Sequence, residues 1–93
     1  MIESFADKNT RNMFDGKRVK WLPQELLRTA QRKLQYINAA VKLSDLRVPP
    51  GNILKLLKGR LKNRYSIRIN DQFRVVFVWK EGRAHEVKVT DYH

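Results

Sequence analysis

Three short apolar runs in the second half of the chain, separated by tight turns, constrain the fold more than any other feature. Tyr65-Ser66-Ile67-Arg68-Ile69 alternates apolar and polar residues. Phe73 to Trp79 is rich in β-branched and aromatic side chains, and Ala84 to Thr90 forms a third run. Asn70-Asp71-Gln72 and Glu81-Gly82 supply the turns between them. Strands joined this closely pair antiparallel, so the segment predicts a meander. Such a sheet needs a layer to cover one of its faces. From Pro23 to about Val41, the residues Leu27, Ala30, Leu34, Ile37 and Val41 recur at steps of three and four, which puts them on one face of a helix. Leu26 and Ala40 widen the stripe, while Arg28, Arg32, Lys33 and Lys42 fall beside or opposite it. Pro23 suits the first turn, where its missing N–H is not needed. This helix is the cover.

The flanks complete an α+β reading. Met1 to Phe5 is read as a short first strand, and Asp7 as the N-cap of a helix running to about Phe14 and stopping near Gly16. Ser44 to Arg47 makes a further turn, Pro49-Pro50-Gly51-Asn52 a loop, and Ile53 to Leu57 another short strand. The expected architecture is a small twisted, mostly antiparallel sheet with two N-terminal helices packed on one face and the other face free. Ninety-three residues are too few for two cores, so residues 1–93 are expected to form one domain.

Charge narrows the partners. Twenty Lys and Arg against nine Asp and Glu give +11, a field that attracts polyanions. Nucleic acid is the first candidate, an acidic protein the second, and an anionic membrane a poor third, because the helix has a narrow apolar stripe suited to a core. No stretch approaches the roughly 20 apolar residues of a membrane span. Met1-Ile2-Glu3-Ser4-Phe5 lacks the start of a signal peptide, so a cytoplasmic location is expected. The absence of cysteine excludes disulfides, thiolate zinc sites and a cysteine nucleophile. With His85 and His93 the only histidines, metal ligands are scarce, and metal-free acid–base chemistry is the better fit. There is no glycine-rich phosphate loop and no Gly-x-Ser-x-Gly elbow.

Three features are candidates for chemistry. Lys55, Lys58, Arg60, Lys62, Arg64 and Arg68 lie between Gly51 and Asn70 with no acidic residue among them. They read either as a solvated loop and edge strand or as a surface for phosphates, and the net charge favours the second. Arg74 sits between Phe73 and Val75 in the most apolar run. It forms either a salt bridge with Asp71, Asp91 or Glu86, or a two-point hold on a phosphate. Asp91-Tyr92-His93 closes the chain; chain ends are usually frayed, but this one follows a strand, and an imidazole both takes and gives protons near neutrality. Trp21, Phe73, Phe77 and Trp79 read as core packing, Tyr65 as either core or a ring over the free face, and His85 as structural or merely exposed.

Pro49-Pro50-Gly51-Asn52, Leu57-Lys58-Gly59, the block from Ser66 to Arg74 and the closing Asp91-Tyr92-His93 together resemble the HigB branch of RelE-type bacterial toxins, the plasmid-maintenance killer proteins of type II toxin–antitoxin systems. The resemblance covers essentially the whole chain. It implies a ribosome-dependent endoribonuclease that cuts messenger RNA in the ribosomal A site, with no metal or organic cofactor. It also implies a HigA-like helix-turn-helix antitoxin as partner, with DNA contacted only through the antitoxin complex. In such toxins the RNA 2′-hydroxyl attacks the adjacent phosphate. The resemblance gives Arg74 the neutralisation of charge on that phosphate, with Lys58 assisting from the neighbouring strand. His93 becomes a proton donor or acceptor, Tyr92 orients the nucleotide, and Asp91 positions the histidine or shares in proton transfer. Some relatives carry histidine where this chain has Lys55, so the group that takes the 2′-hydroxyl proton stays open. A non-catalytic RNA-binding module, and a gyrase-inhibiting toxin of the same fold as in the ParE branch, are the alternative functions.

Overall fold

Asp7 starts the first helix as its chemistry requires. Its Oδ1 accepts a hydrogen bond from the Thr10 N–H at 2.8 Å, and α1 runs Lys8–Phe14. Such a cap contributes about 1 kcal/mol. At the other end Gly16 adopts a φ of +79°, the Gly16 N–H bonds the Met13 carbonyl, and the Lys17 N–H bonds that of Asn12. This left-handed closure uses the freedom of a residue without Cβ. The computed structural model describes residues 1–61 and 63–91, the side chain of Leu61 excepted.

The second helix is shorter than its apolar periodicity predicts. Gln24–Leu26 form a 3-10 turn, and α2 proper runs Leu27–Ala39. Ala30, Leu34 and Ile37 are fully buried, but Val41 lies beyond the helix and is 76% exposed. The chain leaves the helix at Ala40, where ψ is 132°. Asp45 then draws the Val41 and Lys42 N–H groups to its Oδ2, both at 3.0 Å, which caps the next 3-10 turn, Leu43–Arg47. Those amide bonds hold the Asp45 carboxyl below its ordinary pKa. A side chain that captures backbone donors overrides the periodicity at this point.

Four strands form one antiparallel sheet in the order β1 (Lys55–Leu56), β2 (Tyr65–Arg68), β3 (Phe73–Lys80) and β4 (Arg83–Asp91). The β3–β4 hairpin turns through Glu81 and Gly82, both at positive φ, as a two-residue turn of the twisted type requires. Opposite Phe77 the register shifts: Val76 pairs with Lys88 and Val78 with His85, so Glu86 and Val87 together face one residue. Glu86, at φ 52°, is the supernumerary residue of this β-bulge.

Two expected strands are reduced. Met1 to Phe5 forms no strand but two isolated parallel bridges to β4, Ile2 with Ala84 and Phe5 with Val87. The strand expected from Ile53 to Leu57 contracts to Lys55–Leu56, because Ile53 has left-handed backbone angles that a strand cannot hold.

Ile67, Val75, Phe77, Val87 and Val89 meet Met13, Leu34 and Ile37 in the core between sheet and helices. The buried Thr10 Oγ1 accepts the Val89 N–H at 2.9 Å and ties α1 to β4. Phe73, Phe77 and Trp79 pack as expected, with Phe77 6.2 Å from Tyr65 and 6.5 Å from Trp79; Trp21 does not join the core, since it is 42% exposed and meets Phe73 from the surface at 5.8 Å. Tyr65, opposite Phe77 in the β2–β3 register, therefore belongs to the core side. Lys33 is a correction. It is only 7% exposed, with its Nζ 2.6 Å from Asn52 Oδ1. Burial, then Arg32 and Arg68, hold its ammonium below the ordinary lysine pKa. Among the described residues no helix is long and apolar enough to cross a membrane.

Candidate active site

Strand alternation decides what shares a face with Arg74. With Val75 and Phe77 turned to the helices, the opposite face carries one row of Lys55, Ser66, Val76 and Lys88, followed by a row of Arg68, Arg74 and Thr90. Two arginines stand directly opposite each other, an arrangement that costs energy unless each is compensated. Arg68 pairs with Asp71. Arg74 is held differently: its Nε donates to Ser66 Oγ at 2.8 Å and its Nη2 to the Ile53 carbonyl at 2.7 Å.

The Arg74 guanidinium is thus buried rather than extended to the rim, since the residue is 7% exposed and Ser66 is fully buried. Two of its five N–H donors fix the plane of the group, one along the strand pair and one toward the loop before β1. A cation set in this way is oriented before any ligand arrives. On the β4 side of the same face runs a groove of about 290 Å³ lined by Ala6, Arg64, Val76, Glu86, Lys88 and Thr90.

The expected salt bridge from Arg74 to Asp71 or Glu86 is replaced by other pairings. Asp71 serves Arg68, and Glu86 Oε1 lies 3.2 Å from Arg64 Nη2. The acid-free run of cations therefore meets acids in space that it lacks in sequence. Both acids are well exposed, and pairs of this kind are worth roughly 0–1 kcal/mol, so neither pair is strongly held. Asp91 stands opposite Phe73 in the register, while Thr90 stands opposite Arg74; Gln72 Nε2 donates to Asp91 Oδ2 at 3.0 Å.

Lys55 is exposed on β1 opposite Ser66. Lys58 is exposed but lies in the loop after β1, not in a strand, because pairing there stops at Leu56. Arg60 is exposed in the 3-10 turn Gly59–Leu61. Lys62, Tyr92 and His93 lie outside the described residues. Four residues around Arg74 escaped sequence reasoning: Ser66, Ile53, Lys88 and Thr90. Alternation about Ile67 and Val89 is the signal that could have placed Ser66, Lys88 and Thr90 with Arg74. Among the described residues no three His, Cys, Asp or Glu side chains form a group able to hold a metal.

Residues 3–93 match the family described as the RelE-like toxin of the type II toxin–antitoxin system HigB. The chain belongs to the HigB-like toxin family. Toxin HigB-1 of Vibrio cholerae is 41% identical over 85 residues, 90% of each chain. Endoribonuclease HigB of Proteus vulgaris is 28% identical over the full length of both. The fold resembles that of a solved YoeB–YefM complex from Staphylococcus aureus, with a TM-score of 0.62 at 15% identity, covering 100% of this chain and 98% of the other. Within the HigB-like toxin family, then, this chain carries a pre-oriented, buried arginine on a basic sheet face.

Proposed function

We propose that this toxin is a metal-independent, ribosome-dependent endoribonuclease that cuts messenger RNA in the A site. The observation that carries the reading is the Arg74 guanidinium, fixed by Ser66 Oγ and the Ile53 carbonyl on the face that also bears Lys55, Arg68 and Lys88. The relative from Proteus vulgaris bears the name endoribonuclease. In the reaction, the 2′-oxygen bonds to phosphorus and loses its proton. The bond from phosphorus to the 5′-oxygen breaks, and that oxygen gains a proton. Charge accumulates on the phosphoryl oxygens, and a pre-oriented cation stabilises it without reorganising. His93 handles one of the two protons, Asp91 and Tyr92 set the imidazole and the nucleotide, and Lys58 adds positive charge. Lys55, Arg60, Lys62, Arg64 and Arg68 hold the ribosomal and messenger phosphates, an attraction that weakens with salt as counterions are released.

The cognate antitoxin is proposed to be HigA-like, with a helix-turn-helix that carries the complex to DNA. Primer extension on a translated message tests the central reading. Purified toxin should give discrete breaks inside codons only when ribosomes are translating, and the breaks should persist in EDTA at levels that leave ribosomes intact. Restoration of lost activity specifically by zinc or manganese would refute metal independence. Loss of gyrase supercoiling without RNA breaks would move the chain to the gyrase-inhibiting class.

A further inference from the structure

Asn52 is fully buried, and both polar atoms of its amide head are engaged. Oδ1 accepts from Lys33 Nζ at 2.6 Å, and Nδ2 donates to the Leu46 carbonyl at 3.2 Å and the Val48 carbonyl at 3.3 Å. Its backbone N–H bonds the Pro49 carbonyl at 2.9 Å. The neighbouring Ile53 has φ 46° and ψ 64°. A β-branched side chain in the left-handed region is strained and persists only where the surroundings over-determine it. Burial does not explain it, since Ile53 is 46% exposed. The strain sits on the residue that joins the Asn52 clamp to Arg74: the Ile53 N–H bonds the Pro50 carbonyl at 3.1 Å, and its own carbonyl receives Arg74 Nη2.

We propose that Asn52, locked by Lys33, is a positioning residue for Arg74, holding Ile53 in its left-handed conformation so that its carbonyl sets the guanidinium on the basic face. The catalytic meaning of this relay rests on the function proposed above; its geometry does not. A buried ammonium on α2 thereby governs a cation on the opposite side of the sheet. Lys33 has no need to approach substrate, and its burial among core residues is accounted for by the amide it holds.

The test uses the full chain with Asn52→Ala and Lys33→Met, each alone and combined with Arg74→Lys. Lys33→Met keeps the bonds from Asn52 to Leu46 and Val48, so it decides the matter if Asn52→Ala does not fold. The first readout is the Arg74 Nε–H resonance in ¹⁵N NMR. It should be sharp in the parent chain and broadened or rapidly exchanging in both variants while the core resonances persist. The second is single-turnover cleavage at saturating ribosomes, which should fall about a hundredfold, the scale of a small misplacement at a reacting centre. Ribosome affinity should hold, and in the Arg74→Lys background the clamp substitutions should cost little further rate, because coupled residues are not additive. Folded variants that keep the Arg74 resonance would reduce the clamp to a loop anchor and overturn the proposal, as would equal rate losses in both backgrounds. Loss of the resonance with an unchanged rate would uphold the positioning and overturn the catalytic role of Arg74 instead.

Discussion

Arg74→Ala should reduce messenger cleavage by about a hundred- to a thousandfold, the range seen when one pre-oriented charge-stabilising group is removed. Ribosome binding should change little by comparison, because exposed Lys55, Arg60 and the other peripheral cations remain. The substitution should also lower stability. Ser66 Oγ and the Ile53 carbonyl lose the donors that hold them, and a buried polar group left unpaired costs roughly 1–3 kcal/mol. Melting and single-turnover cleavage should therefore be measured on the same preparation, with the rate corrected for the folded fraction. Arg74→Lys restores charge but not the planar two-direction hold, so it should recover only part of the rate. Near-parental cleavage by folded Arg74→Ala would remove this residue from the mechanism.

His93→Gln, or deletion of His93, should lower cleavage by about a hundred- to ten-thousandfold, the contribution of a general acid or base. For His93→Gln, stability should be nearly unchanged, because glutamine is close to histidine in size and keeps a hydrogen-bonding head. The two substitutions are thus separable: Arg74→Ala costs rate and stability, whereas His93→Gln costs rate alone. Antitoxin binding and melting temperature provide the controls. If the His93 deletion cuts messenger at the parental rate, proton transfer must be sought among Lys55, Lys58 and their neighbours.

The meander was legible because two independent signals agreed over residues 65–91: alternation or β-branched character along each strand, and turn chemistry at Asn70-Asp71-Gln72 and Glu81-Gly82. The Asp7 cap was legible for the same reason, a side chain suited to free amides just before a helical stretch. What escaped depended on partners distant in sequence. Lys33 looks like a solvated cation until Asn52, 19 positions later, is seen to hold it. Arg64 looks free until Glu86 is brought beside it. Val41 fits the helical period, yet Asp45 competes successfully for the backbone there. Arg74 was conspicuous by its setting, but its partners, Ser66 and Ile53, depend on register and on a loop conformation that no local pattern encodes.

The bulge at Glu86 gives β4 two parities. Before it the inward residue is even-numbered, Ala84; beyond it the inward residues are odd-numbered, Val87 and Val89. Loss of Glu86 alone would leave Val87 opposite Phe77 and Thr90 still opposite Arg74, since the supernumerary residue belongs to neither ladder. Loss or gain of one residue between Val87 and Asp91 would instead exchange the faces of everything that follows it. The length of β4 is therefore editable at one point and fixed elsewhere: Glu86 stands outside both ladders, and the residues from Val87 to Asp91 hold their phase with Arg74 without it.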